Sequence, residues 1–98
     1  MSFTIKFTDQ GDSDLDKLEK ARSKKGILKA VQKCLGYLEA NPKHPGLKTH
    51  KYSSLTGPDG EDVFEAYAQN NTPGAYRVFW CYGPGKNEIT IIAITPHP

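Results

Sequence analysis

Three apolar runs separated by turn sequences occupy the second half of the chain, and they constrain its fold more than any other feature. The runs cover residues 63–69, 75–82 and 88–95, and glycine, proline and asparagine are frequent in the segments between them. Short runs rich in β-branched and aromatic side chains, bounded by such turn residues, are typical of β-strands. The sequence therefore predicts three consecutive strands, and residues 51–55 are predicted to add a shorter strand before them.

The N-terminal part of the chain is predicted to begin with a strand and to continue with a helix. Apolar and polar residues alternate over residues 3–8, as in a half-buried strand. Apolar residues then recur at helical spacing, and an acidic cluster of the kind found at helix N-termini lies at residues 12–14. Ser13 and Asp16 resemble a capping box, so the first helix is predicted to begin at this cluster.

A second helical repeat follows Gly26. Apolar side chains recur on one helical face from residue 27 to residue 38, and the repeat ends at Asn41 because a residue before proline is disfavoured in the α region. Gly26 interrupts the pattern, so the sequence predicts two helices in a hairpin with a break near residues 24–26. A single bent helix is the alternative.

Two helices that cover one face of an antiparallel sheet bury the apolar sides of both, which makes α+β the predicted fold class. The predicted order is an N-terminal strand, a helical hairpin and a curved antiparallel sheet of three to four strands, in a single domain over residues 1–98. The sheet face that the helices leave uncovered is expected to be partly open.

The cellular compartment is predicted from what the sequence lacks. It has no run of about 18 apolar residues, so no membrane span is predicted. Its N-terminus has no apolar signal segment, and Cys34 and Cys81 have no framework spacing, which favours the reducing cytoplasm. Both cysteines are expected to be small buried side chains.

Arg77 lies in the middle of the second apolar run, where a guanidinium costs free energy unless it has a partner or a function. Strand side chains alternate between faces, so Glu65 and Tyr67 share the face of Arg77 if Phe64 joins the core. Neighbouring strands lie about 4.8 Å apart, which allows these groups to touch. His97 follows the last strand and is expected at the rim of the same face.

These four side chains suit the cleavage of a phosphodiester. Arg77 would bind the phosphate and stabilise the charge that develops in the transition state. Glu65 or Tyr67 would take the proton of a ribose 2′-hydroxyl, and His97 would protonate the leaving oxygen. The alternative is structural, with Glu65 and Arg77 forming a cross-strand ion pair beside Tyr67.

Basic residues are concentrated in the middle of the chain. Residues 17–51 contain ten basic and two acidic residues, a local charge of +8, whereas the whole chain carries +2. Such a block fits a surface that binds a polyanion, and it also fits the solvated face of lysine-rich helices. Lys48 and Lys51 lie beyond the predicted helices, which favours a binding role for them. No metal site is predicted, because His44 and His50 have no cysteine pair nearby.

The chain resembles the RelE/ParE superfamily of bacterial toxins from toxin–antitoxin pairs. The resemblance rests on the order of the elements, on the hairpin end at residues 38–42 and on the approach to the sheet through residues 46–57. It rests above all on the Tyr-Arg-hydrophobic strand at residues 76–80 and the final strand at residues 89–94. In the RNA-cleaving branch the arginine of this strand is catalytic, and it falls on Arg77.

The resemblance implies an endoribonuclease that cleaves mRNA on the ribosome, inhibits translation and is neutralised by a cognate antitoxin. The implied cleavage requires no metal or other cofactor. Some cutting members use a glutamate base and a histidine near the C-terminus, which Glu65 and His97 match. The lysines of RelE itself fall on Glu65 and Tyr67, and the family's C-terminal Tyr or Arg is missing here.

The resemblance also implies where RNA would lie. Three side chains that follow the helical hairpin would contact the RNA backbone: Lys48, His50 and Lys51. The alternative is a non-catalytic binding module of the same fold, either a ParE-like inhibitor of DNA gyrase or an inert relative. In that case the open face would bind protein, and the pair of Glu65 and Arg77 would be structural.

Overall fold

A computed structural model describes residues 2–70 and 72–97, and within them it contains two α-helices and five strands. In chain order these are β1 (Thr4–Phe7), α1 (Asp9–Lys20), α2 (Lys25–Ala40), β2 (His50–Thr56), β3 (Asp62–Tyr67), β4 (Tyr76–Tyr82) and β5 (Glu88–Pro96). Short 3₁₀ turns occupy Arg22–Lys24 and Pro45–Leu47.

The five strands form one sheet in the order β1-β5-β4-β3-β2. The pairs among β2, β3, β4 and β5 are antiparallel, whereas β1 lies parallel to β5 at one edge. The helical hairpin connects the two edge strands, because α1 and α2 follow β1 and precede β2. The predicted α+β class, with its N-terminal strand, helical hairpin and antiparallel sheet, is confirmed.

The first helix begins earlier than the sequence predicts. It starts at Asp9, and residues 12–16 lie inside it, so the predicted capping box is wrong. Thr8 is the N-cap, since its Oγ1 accepts a hydrogen bond of 3.0 Å from the backbone N–H of Gly11. Thr8 also donates to the Ile92 carbonyl at 3.0 Å. The start of α1 is therefore fixed by contact with β5 as well as by its local sequence.

The predicted hairpin is confirmed, with its break a few residues earlier than expected. Ala21 is extended, with φ −91° and ψ 103°, so it ends α1 before the 3₁₀ turn that leads into α2. Asn41 is extended as well and ends α2 before Pro42, as the proline rule predicts. No helix in the described ranges is long and apolar enough to cross a membrane.

The main core lies between the helices and one face of the sheet. Apolar side chains of α1 and α2 pack there against alternate residues of β3, β4 and β5, and the largest fully buried side chain is Trp80. The buried members are Leu18, Val31, Cys34, Leu38, Leu47, Ala66, Tyr76, Val78, Trp80, Ile89, Ile91 and Ile94. Phe64 packs against this core, so the predicted choice of the core face is confirmed.

Both cysteines are free thiols and buried, as the sequence predicts. Burial raises the pKa of Cys34 to about 12. The pKa of Cys81 rises to about 11, mainly through burial and further through the negative charges of Glu61 and Asp59. Because the thiolate is the reactive form, we expect both thiols to react slowly with alkylating and oxidising agents in the folded chain.

The opposite face of the sheet is covered near its centre, so the prediction of a partly open face is wrong there. Glu65, Arg77, Phe79 and Cys81 all lie on this face and are buried. The pairing of β2 with β3 is irregular between Lys51 and Thr56. In this irregular stretch Tyr52 packs on Phe79, with ring centroids 4.8 Å apart. This irregularity cannot be predicted from an alternating pattern.

Candidate active site

The register of β3 and β4 places the predicted site residues side by side. Tyr67 is the direct partner of Arg77, and Glu65 is the partner of Phe79, two residues away along the same face of β4. The Arg77 guanidinium carbon lies 3.7 Å from the centroid of the Tyr67 ring. Its Nε lies 3.7 Å from Oε2 of Glu65. The prediction that Glu65, Tyr67 and Arg77 lie on the same face of the sheet is confirmed.

Glu65 is the centre of this arrangement. Its side chain is almost fully buried, at 2% exposure, and each carboxylate oxygen has an imidazole partner. Oε1 lies 2.6 Å from Nε2 of His50, and Oε2 lies 3.2 Å from Nδ1 of His97. A buried carboxylate is stable only where hydrogen-bond donors and positive charge surround it. We refer to Glu65, His50, His97, Arg77 and Tyr67 as the Glu65 cluster.

His97 reaches the cluster because the chain stays attached to the sheet beyond the end of β5. The backbone N–H of His97 donates to the carbonyl of Ala75 at 2.7 Å, next to the last pair between β4 and β5, Tyr76 with Pro96. This bond directs the ring towards Glu65 while half of the side chain remains exposed. The structure therefore brings Glu65, Arg77 and His97 together.

His50 also belongs to the Glu65 cluster, although the sequence grouped it with two lysines as an RNA contact. It is the first residue of β2 and the direct strand partner of Glu65. Its ring packs edge-on against Tyr67 at 5.8 Å, and its Nδ1 lies 3.3 Å from the Lys48 carbonyl oxygen. A predicted strand starting at residue 50 instead of residue 51 would have placed His50 opposite β3.

The guanidinium of Arg77 is held by several protein groups. One nitrogen, Nη1, donates to the carbonyl of Gln69 at 2.7 Å and lies 3.4 Å from that of Tyr76. The Tyr67 ring covers one side of the guanidinium plane. The buried Nε has no hydrogen-bond partner among the described residues. Arg77 is thus pre-oriented, and it retains donor capacity beside the Glu65 carboxylate.

The two lysines predicted to contact RNA, Lys48 and Lys51, are exposed and lie within two residues of His50 in the chain. Lys48 has a left-handed backbone, with φ 48°, directly after the 3₁₀ turn. Lys51 lies next to His50 on β2, and its Nζ is 3.4 Å from Oδ1 of Asp62. Lys51 therefore shares its charge with a carboxylate, whereas no ion pair within residues 2–70 and 72–97 includes Lys48.

Two cavities flank the central strands. One of about 280 Å³ lies beside the cluster, because Phe79 and Thr95 in its wall are the strand partners of Glu65 and Arg77. A larger groove of about 540 Å³ lies on the side of Phe64 and Trp80 and contains no member of the Glu65 cluster. The lining of the smaller cavity also includes no member of the Glu65 cluster, so the contacts within the cluster, and not a cavity, define the candidate site. No group of His, Cys, Asp and Glu in the described part of the chain has the geometry of a metal centre.

Comparisons with solved structures connect this architecture to known proteins. RelE in the archaeal RelE–RelB complex of Pyrococcus horikoshii superposes with a TM-score of 0.65 at 18% identity, covering 98% of this chain and 96% of that one. The chain adopts the RelE/ParE toxin fold. The YoeB/ParE toxin of Agrobacterium tumefaciens gives a TM-score of 0.71 at 10% identity, over 98% of this chain and 100% of that chain.

A third relative of this fold comes from the RelBE2 toxin–antitoxin complex of Mycobacterium tuberculosis. Its TM-score is 0.62 at 20% identity, over 99% of this chain and 100% of that one. No protein-family model and no curated protein sequence matches the chain. The similarity to RelE/ParE toxins is therefore a similarity of three-dimensional structure, and the predicted RelE-like architecture is confirmed at that level.

Proposed function

We propose that this chain is the toxin of a toxin–antitoxin pair and that it inhibits translation in the cytoplasm by cleaving mRNA on the ribosome. The observation that carries the proposal is the Glu65 cluster, which joins an arginine, a carboxylate and two imidazoles on one side of the sheet. Phosphodiester cleavage by attack of a ribose 2′-hydroxyl needs a phosphate-binding cation and groups that move protons. The cluster supplies both kinds of group without a metal.

Each member of the cluster has a role in the proposed reaction. Arg77 binds the scissile phosphate, and Tyr67 holds the guanidinium plane by stacking, at 3.7 Å. Glu65 and His97 form the proton-transfer pair, linked by the 3.2 Å contact between Oε2 and Nδ1. Lys48 and Lys51 contact the RNA backbone where it passes the β2 edge of the sheet, which gives RNA binding a dependence on salt. His50 acts within the cluster instead of at the RNA backbone.

A cognate antitoxin is the proposed protein partner. The Pyrococcus and Mycobacterium relatives of the same fold were solved in complexes with antitoxins, RelE–RelB and RelBE2. The block of ten basic residues between 17 and 51 gives this chain a local charge of +8, which suits an acidic partner as well as RNA. Co-expression with the product of a neighbouring small reading frame should therefore relieve any growth arrest that the chain causes.

Controlled expression in a bacterial host tests the proposed activity. Wild-type protein should stop incorporation of labelled methionine within minutes, before any DNA-damage response, and cleaved transcripts should accumulate. Arg77→Ala should abolish both effects. Lys86 is exposed and lies outside the basic block of residues 17–51, so Lys86→Ala serves as the control and should leave the arrest unchanged. Normal arrest by Arg77→Ala would rule out the proposed mechanism.

One observation favours a second candidate function, a non-catalytic binding module of the same fold. The Arg77 side chain is 8% exposed and already bound to the Gln69 carbonyl, as expected of a purely structural ion pair with Glu65. A ParE-like gyrase inhibitor would induce DNA-damage signalling while translation continues, and an inert relative would cause no growth defect. The same expression experiment therefore distinguishes the two candidates.

A further inference from the structure

The two imidazoles of the Glu65 cluster have different surroundings. Both ring nitrogens of His50 face acceptors, Nε2 towards Oε1 of Glu65 at 2.6 Å and Nδ1 towards the Lys48 carbonyl at 3.3 Å. His97 uses only Nδ1, at 3.2 Å from Oε2 of Glu65, and its Nε2 has no partner among the described residues. The His97 side chain is half exposed, whereas Glu65 is buried. Only His97 therefore presents a ring nitrogen to an approaching substrate.

Glu65 is poorly placed to act on substrate directly. Both of its oxygens already accept from imidazoles, and its side chain is 2% exposed. A general base must come within hydrogen-bond reach of the proton that it removes. A carboxylate that accepts from one nitrogen of a histidine fixes the tautomer and leaves a lone pair on the other nitrogen. The geometry thus suits Glu65 to orienting His97, and it leaves His97 as the group that can react with the substrate.

We propose that Glu65 is a positioning residue that holds His97 with its proton on Nδ1, and that Nε2 of His97 is the general base. This inference rests on the proposed RNA cleavage and changes the roles that the sequence suggested, in which Glu65 or Tyr67 is the base and His97 the acid. His50 holds the other oxygen of Glu65 and so fixes the carboxylate rotamer. Glu65 then also stabilises the imidazolium that forms on His97 during the reaction.

The proton and bond changes balance without another cofactor. Nε2 of His97 takes the proton of the ribose 2′-hydroxyl, and the 2′-oxygen attacks phosphorus, forming a new P–O bond. The bond from phosphorus to the 5′-oxygen breaks, which leaves a 2′,3′-cyclic phosphate on one fragment. The departing 5′-oxygen takes a proton from water, and the hydroxide formed recovers the proton held by His97. Arg77 stabilises the phosphorane charge.

Nitrogen NMR of the free protein tests the positioning step without any RNA. Long-range ¹H–¹⁵N correlations of the histidine rings should show neutral His97 with the proton on Nδ1 and a bare Nε2. In Glu65→Gln this tautomer should lose its preference, while the spectrum of His44, which lies outside the cluster, should not change. A proton on Nε2 of neutral His97 in the wild-type protein would overturn the inference. The wild-type spectrum decides this even if Glu65→Gln does not fold.

A double-mutant cycle tests the base. If Glu65 acts through His97, Glu65→Gln should lower kcat by about 100-fold or more, and the double variant Glu65→Gln/His97→Asn should cleave no more slowly than His97→Asn alone. If Glu65 is the base and His97 the acid, the two losses should multiply, which would overturn the inference. If wild-type protein cleaves no RNA while NMR shows the Nδ1 proton, the proposed function fails and the positioning of His97 stands.

Discussion

The two faces of the β3–β4 pair are built from alternating residues of the same strands, yet different forces hold them. On the helix side, Val78 and Trp80 lie in a continuous apolar core. On the other side, Glu65 and Arg77 are as well buried but depend on charge partners. Burial of apolar area tolerates any apolar side chain of similar volume, whereas a buried charge requires a specific partner. The Glu65 cluster lies on the second face.

The largest expected effect is on the apolar side. Trp80 is 1% exposed and packs against Phe64 and Tyr82, so Trp80→Ala should lower the free energy of unfolding by about 3–5 kcal/mol. Tyr82→Ala is the control. Because Tyr82 is 41% exposed, this substitution should lower the free energy of unfolding much less. Urea denaturation followed by circular dichroism measures both. Equal losses would mean that the helix-side core is not where the fold gains its stability.

On the charged side, removing one partner of the ion pair should lower the free energy of unfolding more than removing both partners. Arg77→Met leaves Glu65 buried with one cation fewer, and the free energy of unfolding should fall by about 3 kcal/mol. Adding Glu65→Leu removes the carboxylate as well, so the double variant should recover part of that loss. Urea denaturation of the three proteins checks this, and a double variant less stable than Arg77→Met would show that the two faces do not differ as described.

The exposed lysines at the edge strand β2 and just before it should affect RNA binding and leave stability unchanged. Removal of one lysine that binds an RNA phosphate should reduce the slope of log affinity against log salt by roughly 0.7 for single-stranded RNA. Lys48→Ala should have a larger effect than Lys51→Ala, since Asp62 lies 3.4 Å from the Lys51 amine. Lys86→Ala, in the β4–β5 turn, is the control for general charge. Fluorescence anisotropy at several salt concentrations measures the slopes. Lys86→Ala should have the same slope as the wild type.

The smallest effect is expected at the cysteines, one on each side of the sheet. With pKa values raised by burial to about 12 for Cys34 and about 11 for Cys81, both thiols should remain protonated from pH 7 to pH 9. Iodoacetamide should therefore label neither thiol in the folded protein and both in urea, as intact-mass spectrometry would show. Rapid labelling of native Cys81 would indicate that the charged face opens in solution.

The sequence predicts much of the difference between the two faces of the sheet, but not all of it. Alternation in strands assigns Phe64 to the core and groups Glu65, Tyr67 and Arg77 on the other face, because side-chain direction follows directly from period two. The position of His97 follows less directly, through its backbone bond to Ala75 at 2.7 Å.

Features that depend on tertiary contact could not be predicted from local patterns. Thr8 caps α1 while bonded to β5, so a search for a local capping box selects the wrong residues. His50 joins the Glu65 cluster only because β2 pairs with β3 from its first residue. The cover over the second face comes from the irregular stretch after Lys51, where pairing departs from any simple period.

Cleavage of ribosome-bound mRNA by the purified protein tests most directly the claim that the charged face is an RNA-cleaving site. Arg77→Lys keeps the positive charge beside Glu65 but removes the planar donor pair, and Arg22→Lys makes the same change at an exposed position. We predict cleavage by the wild type and Arg22→Lys at equal rates, and a loss of about 100-fold or more for Arg77→Lys. Undiminished cleavage by Arg77→Lys, or none by the wild type, would contradict the account.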